Sequence, residues 1–161
     1  MAILRWLIRI VLLLALAAGA VAIAARVHDG PLGPFPGGAL ASGTLVAEPV
    51  ADWGFVAEVP EIELQLESQS ISRVTWVLAR DGRAYIPASV VYPPGKTWHR
   101  KALEDGRAVL RIDGKKYPVT LAKVEDAAVL ADAREEAKRK YDAPAYGEDW
   151  LFSVTSRSSE P

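Results

Sequence analysis

The sequence predicts a mainly β domain with two helices, closed or split into a barrel, behind one N-terminal membrane-spanning helix. Three observations carry this. Short apolar stretches of strand length follow one another from residue 44 onward with turn residues between them. Two of those turns are Asp-Gly pairs, at Asp81-Gly82 and Asp113-Gly114, the residues that two-residue hairpins favour. Ahead of them, residues 10–25 form an uninterrupted apolar run of sixteen.

That run is the first element. Arg5 and Arg9 precede it, and Arg26, His28 and Asp29 end it. Counted from Ile3, with Arg9 reaching toward the interface, it is long enough to cross a bilayer. The early arginines place the N-terminus in the cytoplasm and the remainder on the exported side. Two readings of residues 1–29 stand, a retained anchor or a signal peptide cleaved near Ala22-Ile23-Ala24, and the retained anchor is preferred. Residues 30–43 hold five glycines and three prolines, so they form a linker or an ordered irregular arm. The folded domain is expected over 44–155, with a tail over 156–161.

Within the domain, 44–50 reads as a strand. Residues 61–67 alternate, with Ile62, Leu64 and Leu66 inward. Residues 72–80 read as one strand, Val74, Trp76 and Leu78 on one face and Arg73, Thr75, Val77 and Ala79 on the other. The first Asp-Gly turn leads into 83–88, and the second joins 107–112 to 115–125. Pro118 marks that last strand as an edge or a bulge. Asp126 is a helix N-cap. The helix runs to Tyr141 with Val129, Leu130, Ala133, Ala137 and Tyr141 as its apolar stripe, and Pro144 and Gly147 stop it. Residues 150–155 close the domain as a strand.

Composition narrows the chemistry. Of 161 residues, half are hydrophobic and 24% charged, and the net charge is −1. Without residues 1–29, which hold three Arg and one Asp, 16 basic and 19 acidic residues remain. An acidic body argues against nucleic-acid binding and for a small anionic ligand at a local basic corner. There are no cysteines and two histidines, which excludes disulfides, thiolate metal sites and a Cys nucleophile. The basic corner lies in residues 93–124, PPGKTWHRKALEDGRAVLRIDGKKYPVTLAKV. Lys96, His99 and Arg100 fall at i, i+3 and i+4, one face of a helix if the helix begins that early. A solvated basic face is the alternative.

The order strand, Asp-Gly-Arg hairpin, strand, GKTWHRKALEDGRAVLRIDGKKYPVTLAKVED, helix resembles the flavin-binding split barrels over residues 60–155. These include the pyridoxamine-phosphate-oxidase-like proteins and the deazaflavin-dependent nitroreductase-like branch. Lys96, Trp98, Leu103, Asp105-Gly106-Arg107, Leu110, Ile112, Gly114 and Tyr117 occupy the places of that family's pattern. The resemblance implies a homodimer that holds FMN or a deazaflavin (F420-type) and acts as an oxidoreductase. It implies phosphate contacts from Arg73, Thr75, Ser89, Lys96 and Arg100, with Trp98 either stacking on the ring or capping the barrel. His99 and Tyr92 are the acid–base candidates if one is needed. A second reading is an exported, non-catalytic binding module for a small anion, a haem ligated by His99, or a partner protein. A third is a structural envelope protein.

Overall fold

Asp81 and Asp113 both adopt left-handed backbone (φ 50° and 48°), and the glycines that follow have φ of 72° and 73°. This is the turn geometry whose twist matches that of paired strands, and glycine carries it without a Cβ penalty. The hairpins so fixed organise the computed structural model, which describes residues 2–142 and 149–158. Helix α1 is Ala2–Val27. The strands are β1 (Thr44–Leu45), β2 (Ile62–Leu66), β3 (Ser72–Thr75), β4 (Leu78–Arg80), β5 (Arg83–Ser89), β6 (Arg107–Ile112), β7 (Lys115–Lys123) and β8 (Asp149–Ser156). A 3₁₀ turn covers Gly54–Glu58, and helices α2 (Trp98–Glu104) and α3 (Ala127–Tyr141) complete the elements.

The sheet order is β3-β2-β6-β7-β8-β5-β4, with every neighbouring pair antiparallel, and short β1 adds to β7 in parallel. The two outermost strands, β3 and β4, are consecutive in the chain and separated only by Trp76 and Val77. Residues 72–80 thus form one bent segment that pairs with β2 at its start and with β5 at its end. The sheet curls until its two edges share that segment, and the result is a split barrel. The single strand expected over 72–80 is therefore broken. At the break, Val77 turns into the barrel, Leu78 faces outward under α3, and Trp76 stacks on Tyr141 at 4.3 Å.

Leaving the ladder strands the backbone polar groups of the corner, and α3 satisfies them. Val77 N–H donates to Tyr141 Oη at 3.1 Å, and Lys140 Nζ donates to the Val77 and Val56 carbonyls at 2.8 and 2.9 Å. Tyr141 Oη lies 2.7 Å from the Pro60 carbonyl and 2.9 Å from that of Val77. Its single hydrogen serves one of these at a time.

Two apolar layers result. Inside the barrel, Ile62, Leu64 and Leu66 meet Leu110, Val119, Ile86 and Phe152. Outside it, Leu78, Tyr85 and Leu151 pack under Val129, Leu130, Ala133, Ala137 and Tyr141 of α3, the stripe read from the sequence. Asp126 caps α3 by accepting from Ala128 and Val129 N–H. The helix closes on Asp142, whose φ is 49°, whereas the expected stop at Pro144 and Gly147 lies outside the described residues.

Pro118 is not on an edge, because β7 pairs with β6 on one side and β8 on the other. It is tolerated because its carbonyl faces the β8 side, accepting from Arg157 N–H at 2.9 Å. The missing N–H falls on that same side, between the end of β1 pairing at Lys116 and the start of β8 pairing at Val119. The strand expected over 44–50 shrinks to two residues.

Helix α1 is apolar enough over Ile3–Val27 to cross a membrane or to act as a signal sequence. Its last turn is docked rather than free. Ala25 is 1% exposed, and its carbonyl accepts from Gly38 N–H at 3.0 Å. The Gly/Pro stretch is an ordered arm: Gly37 pairs with Ser72, and the Ser72 hydroxyl donates to the Gly38 carbonyl at 2.5 Å. Arg111 of β6, with an 11% exposed side chain, joins Asp29 at 3.0 Å and Glu63, and so fastens the arm to the barrel.

Candidate functional site

Where β3 leaves the sheet, its side chains face the loop 90–97 across an open cleft. The polar lobe has a volume of about 790 Å³ and is lined by Arg73, Thr75, Lys96 and Trp98, with Arg26 from the end of α1 and Pro34 and Pro36 from the arm. A second, more apolar lobe of about 630 Å³ is lined by Val74, Trp76, Ser89 and Asp149. The lobes share Val74, Thr75, Pro87, Tyr92 and Pro93 and form one continuous cleft. Each lobe by itself has the size of a small-molecule site.

Four of the six residues expected to hold a cofactor line the polar lobe, and Ser89 lines the other. Arg73 is the most constrained. Its guanidinium lies 5.7 Å from the Trp98 ring centroid, its Nη2 donates to Gln69 at 3.2 Å, and its Nε is buried without an acceptor. Burial pulls its pKa down to about 10. Lys96 is half-buried and forms no ion pair among the described residues. Burial lowers its pKa, Asp149 opposes that shift, and Arg73 adds to it. Trp98 is 3% exposed and packs on Phe152 at 5.5 Å, so it caps the barrel at the floor of the cleft.

Two expectations fail. Helix α2 begins at Trp98 after Thr97, so Lys96 precedes it in the loop, and Lys96, His99 and Arg100 do not share a helical face. Arg100 is exposed and lines neither lobe. His99 turns the opposite way into the protein, 0% exposed, with its ring edge-on to Trp150 at 5.0 Å and both nitrogens unpartnered among the described residues. It therefore faces neither an anion nor a haem in this arrangement. Tyr92, the other acid–base candidate, is 75% exposed at the rim of both lobes.

Sequence reasoning missed Asp149 and Arg26. The Asp149 carboxyl lines the apolar lobe with Oδ1 closed to solvent and without a hydrogen-bond partner among the described residues. Burial raises its pKa, against a hydrogen bond from Ser89 and the charges of Lys96 and Arg134. Ser89 Oγ in turn accepts from Val91 and Tyr92 N–H at 3.3 and 3.2 Å, which ties the rim loop to the floor of the lobe. No sequence signal marks Asp149, because its role depends on β8 lying beside β5. Arg26 reads as the end of an apolar run until the arm folds it back. Among the described residues, no cluster of His, Asp or Glu is arranged to hold a metal ion.

No family model matches this chain, and no curated protein matches it. Among solved structures, it is similar to one from Listeria innocua named "Putative Pyridoxamine 5'-phosphate oxidase". Identity is 12% and the TM-score 0.48, over 63% of this chain and 88% of that one. The split-barrel fold rests on the strand order and pairing given above.

Proposed function

We propose that this protein is a membrane-anchored oxidoreductase that holds a phosphate-bearing FMN or deazaflavin group in the cleft between β3 and loop 90–97. The observation that carries the reading is Arg73. A guanidinium held over Trp98, lining a cleft of about 790 Å³ beside a lysine that forms no ion pair among the described residues, fits an anionic ligand of that size. A charge-assisted hydrogen bond from such a cation to a phosphate oxygen contributes about 1.5–3 kcal/mol. Lys96 adds the second positive charge from the loop, and Thr75 offers a hydroxyl between the lobes. When bound, the flavin-type group supplies the hydride chemistry; the protein's own residues bind and orient it. We take α1 as a retained anchor, its last turn docked on the arm through Ala25. Arg5 and Arg9 put the barrel on the exported side.

The test is the visible spectrum and mass of whatever copurifies with the detergent-solubilised full chain. Arg73→Ala combined with Lys96→Ala is expected to weaken retention by roughly 100-fold or more, since each charged contact contributes about 1.5–3 kcal/mol. Arg100→Ala is expected to leave it unchanged. Protein that is colourless and stays so with added FMN and deazaflavin overturns the reading. Retention without reduction by any donor moves it to the non-catalytic binding module.

A further inference from the structure

The polar lobe has a proposed occupant; the apolar lobe has none, and the Asp149 carboxyl and the Ser89 hydroxyl belong to its lining residues. A carboxyl that a ligand shields from water needs an N–H or O–H donor from that ligand. Val74, Trp76, Pro87, Tyr92 and Pro93 make the rest of the lining mostly apolar and aromatic, with Thr75 and Glu61 its other polar members. A ligand fitted to this lobe therefore has an apolar body and a hydrogen-bond donor at its inner end.

The source of such a ligand follows from where the cleft opens. Arg26, in the last turn of α1, lines its wall together with Pro34 and Pro36. With α1 spanning the bilayer, that turn lies at the lipid headgroups, and the docked arm leaves no slack to carry the cleft away from them. The rim beside it is apolar and exposed, Leu32 and Phe35 on the arm and Val91 and Tyr92 on the loop, at 38, 43, 72 and 75%. Exposed apolar and aromatic side chains flanking a membrane helix sit in the interface, where their burial is favourable.

We propose that the apolar lobe is a second binding site, for a bilayer-dissolved amphiphile whose head carries a hydroxyl or an amine. The amphiphile passes over the Val91–Tyr92 rim and places its head at Asp149 and Ser89. This rests on the membrane-anchored reading and on the cofactor occupying the other lobe. The raised pKa of Asp149, caused by burial, is what a carboxyl awaiting such a partner shows.

The experiment uses the full chain in phosphatidylcholine vesicles containing a long-chain amine with a diazirine near its head, or a fatty acid with the same tail. After photolysis, labelled peptides are mapped. The amine is expected to label α1 and also peptides spanning 74–76 and 87–93; the fatty acid is expected to label α1 alone. Phe35→Glu with Val91→Glu, both at exposed positions, is expected to reduce labelling at 74–76 and 87–93 several-fold and leave α1 labelled. Label confined to α1 with both probes overturns the lipid-side site and leaves the anchor standing. Absence of label on α1 overturns the anchor and this site with it. Labelling of 74–76 and 87–93 that the rim variant does not change overturns access from the bilayer. Flavin retention is read separately, so its failure is not confused with either.

Discussion

Among the described residues His99 has no hydrogen-bond partner at either ring nitrogen, and it is closed to solvent between Trp98 and Trp150, with Lys96 and Arg100 repelling a further positive charge. Burial and then those two cations hold its pKa below the ordinary 6.5. The unfolded chain therefore takes up the proton first as pH falls. The stability tied to neutral His99 is complete above about pH 6.5 and is lost progressively below it. Denaturation midpoints measured from about pH 8 to pH 5 are expected to decline for the native chain and to decline less for His99→Phe. Equal slopes would remove His99 from the account. Arg111 has the opposite character, a nearly buried cation answered by Asp29 and Glu63. Arg111→Met leaves two carboxylates facing each other and is expected to cost about 2–4 kcal/mol in urea denaturation, given the partial exposure of its partners. Proteolysis between residues 28 and 46 should accelerate with it.

The corner at Trp76–Val77 shows what local reading can and cannot reach. β2 was legible because alternation of Ile62, Leu64 and Leu66 is a local property. The two hairpins were legible because Asp-Gly chemistry is local, and so was α3, whose stripe and Asp126 cap lie within one helix. The break in 72–80 was not legible, since Val74, Trp76 and Leu78 continue a strand pattern through it without interruption. What breaks the strand is that two sheet edges, brought together by five other strands, both claim its residues. Tyr141, sixty-four positions away from Val77, supplies the hydrogen bonds the ladder gives up. Tyr141→Phe keeps the stack on Trp76 and removes the hydroxyl, and is expected to cost about 1–3 kcal/mol by urea denaturation. No loss would mean that the corner satisfies itself. The basic corner failed for a related reason: i, i+3, i+4 spacing has meaning only inside a helix, and this one begins at Trp98, too late to include Lys96. The cleft was legible only as Arg73, Thr75, Ser89, Lys96 and Trp98; Asp149 and Arg26 needed the tertiary fold to bring them there.

At the scale of the whole molecule, β8 joins what would otherwise be two separate pieces, β3-β2-β6-β7 on one side and β5-β4 on the other. It pairs with both β7 and β5 along most of its length, and Phe152 and Val154 fill the barrel between them. Removing residues 149–161 is therefore expected to abolish cooperative unfolding altogether rather than lower its midpoint. A truncated chain that still unfolds in one sharp thermal transition would show that the halves close without it. The position of β8 also orders events in time. A ribosome makes the other seven strands before β8, so for an interval the barrel lacks the strand that joins its halves. Throughout that interval the inner edges of β7 and β5 are unpaired, open to each other and to other nascent copies. The arrival of β8 thus decides whether those edges are joined or taken up by a neighbouring chain.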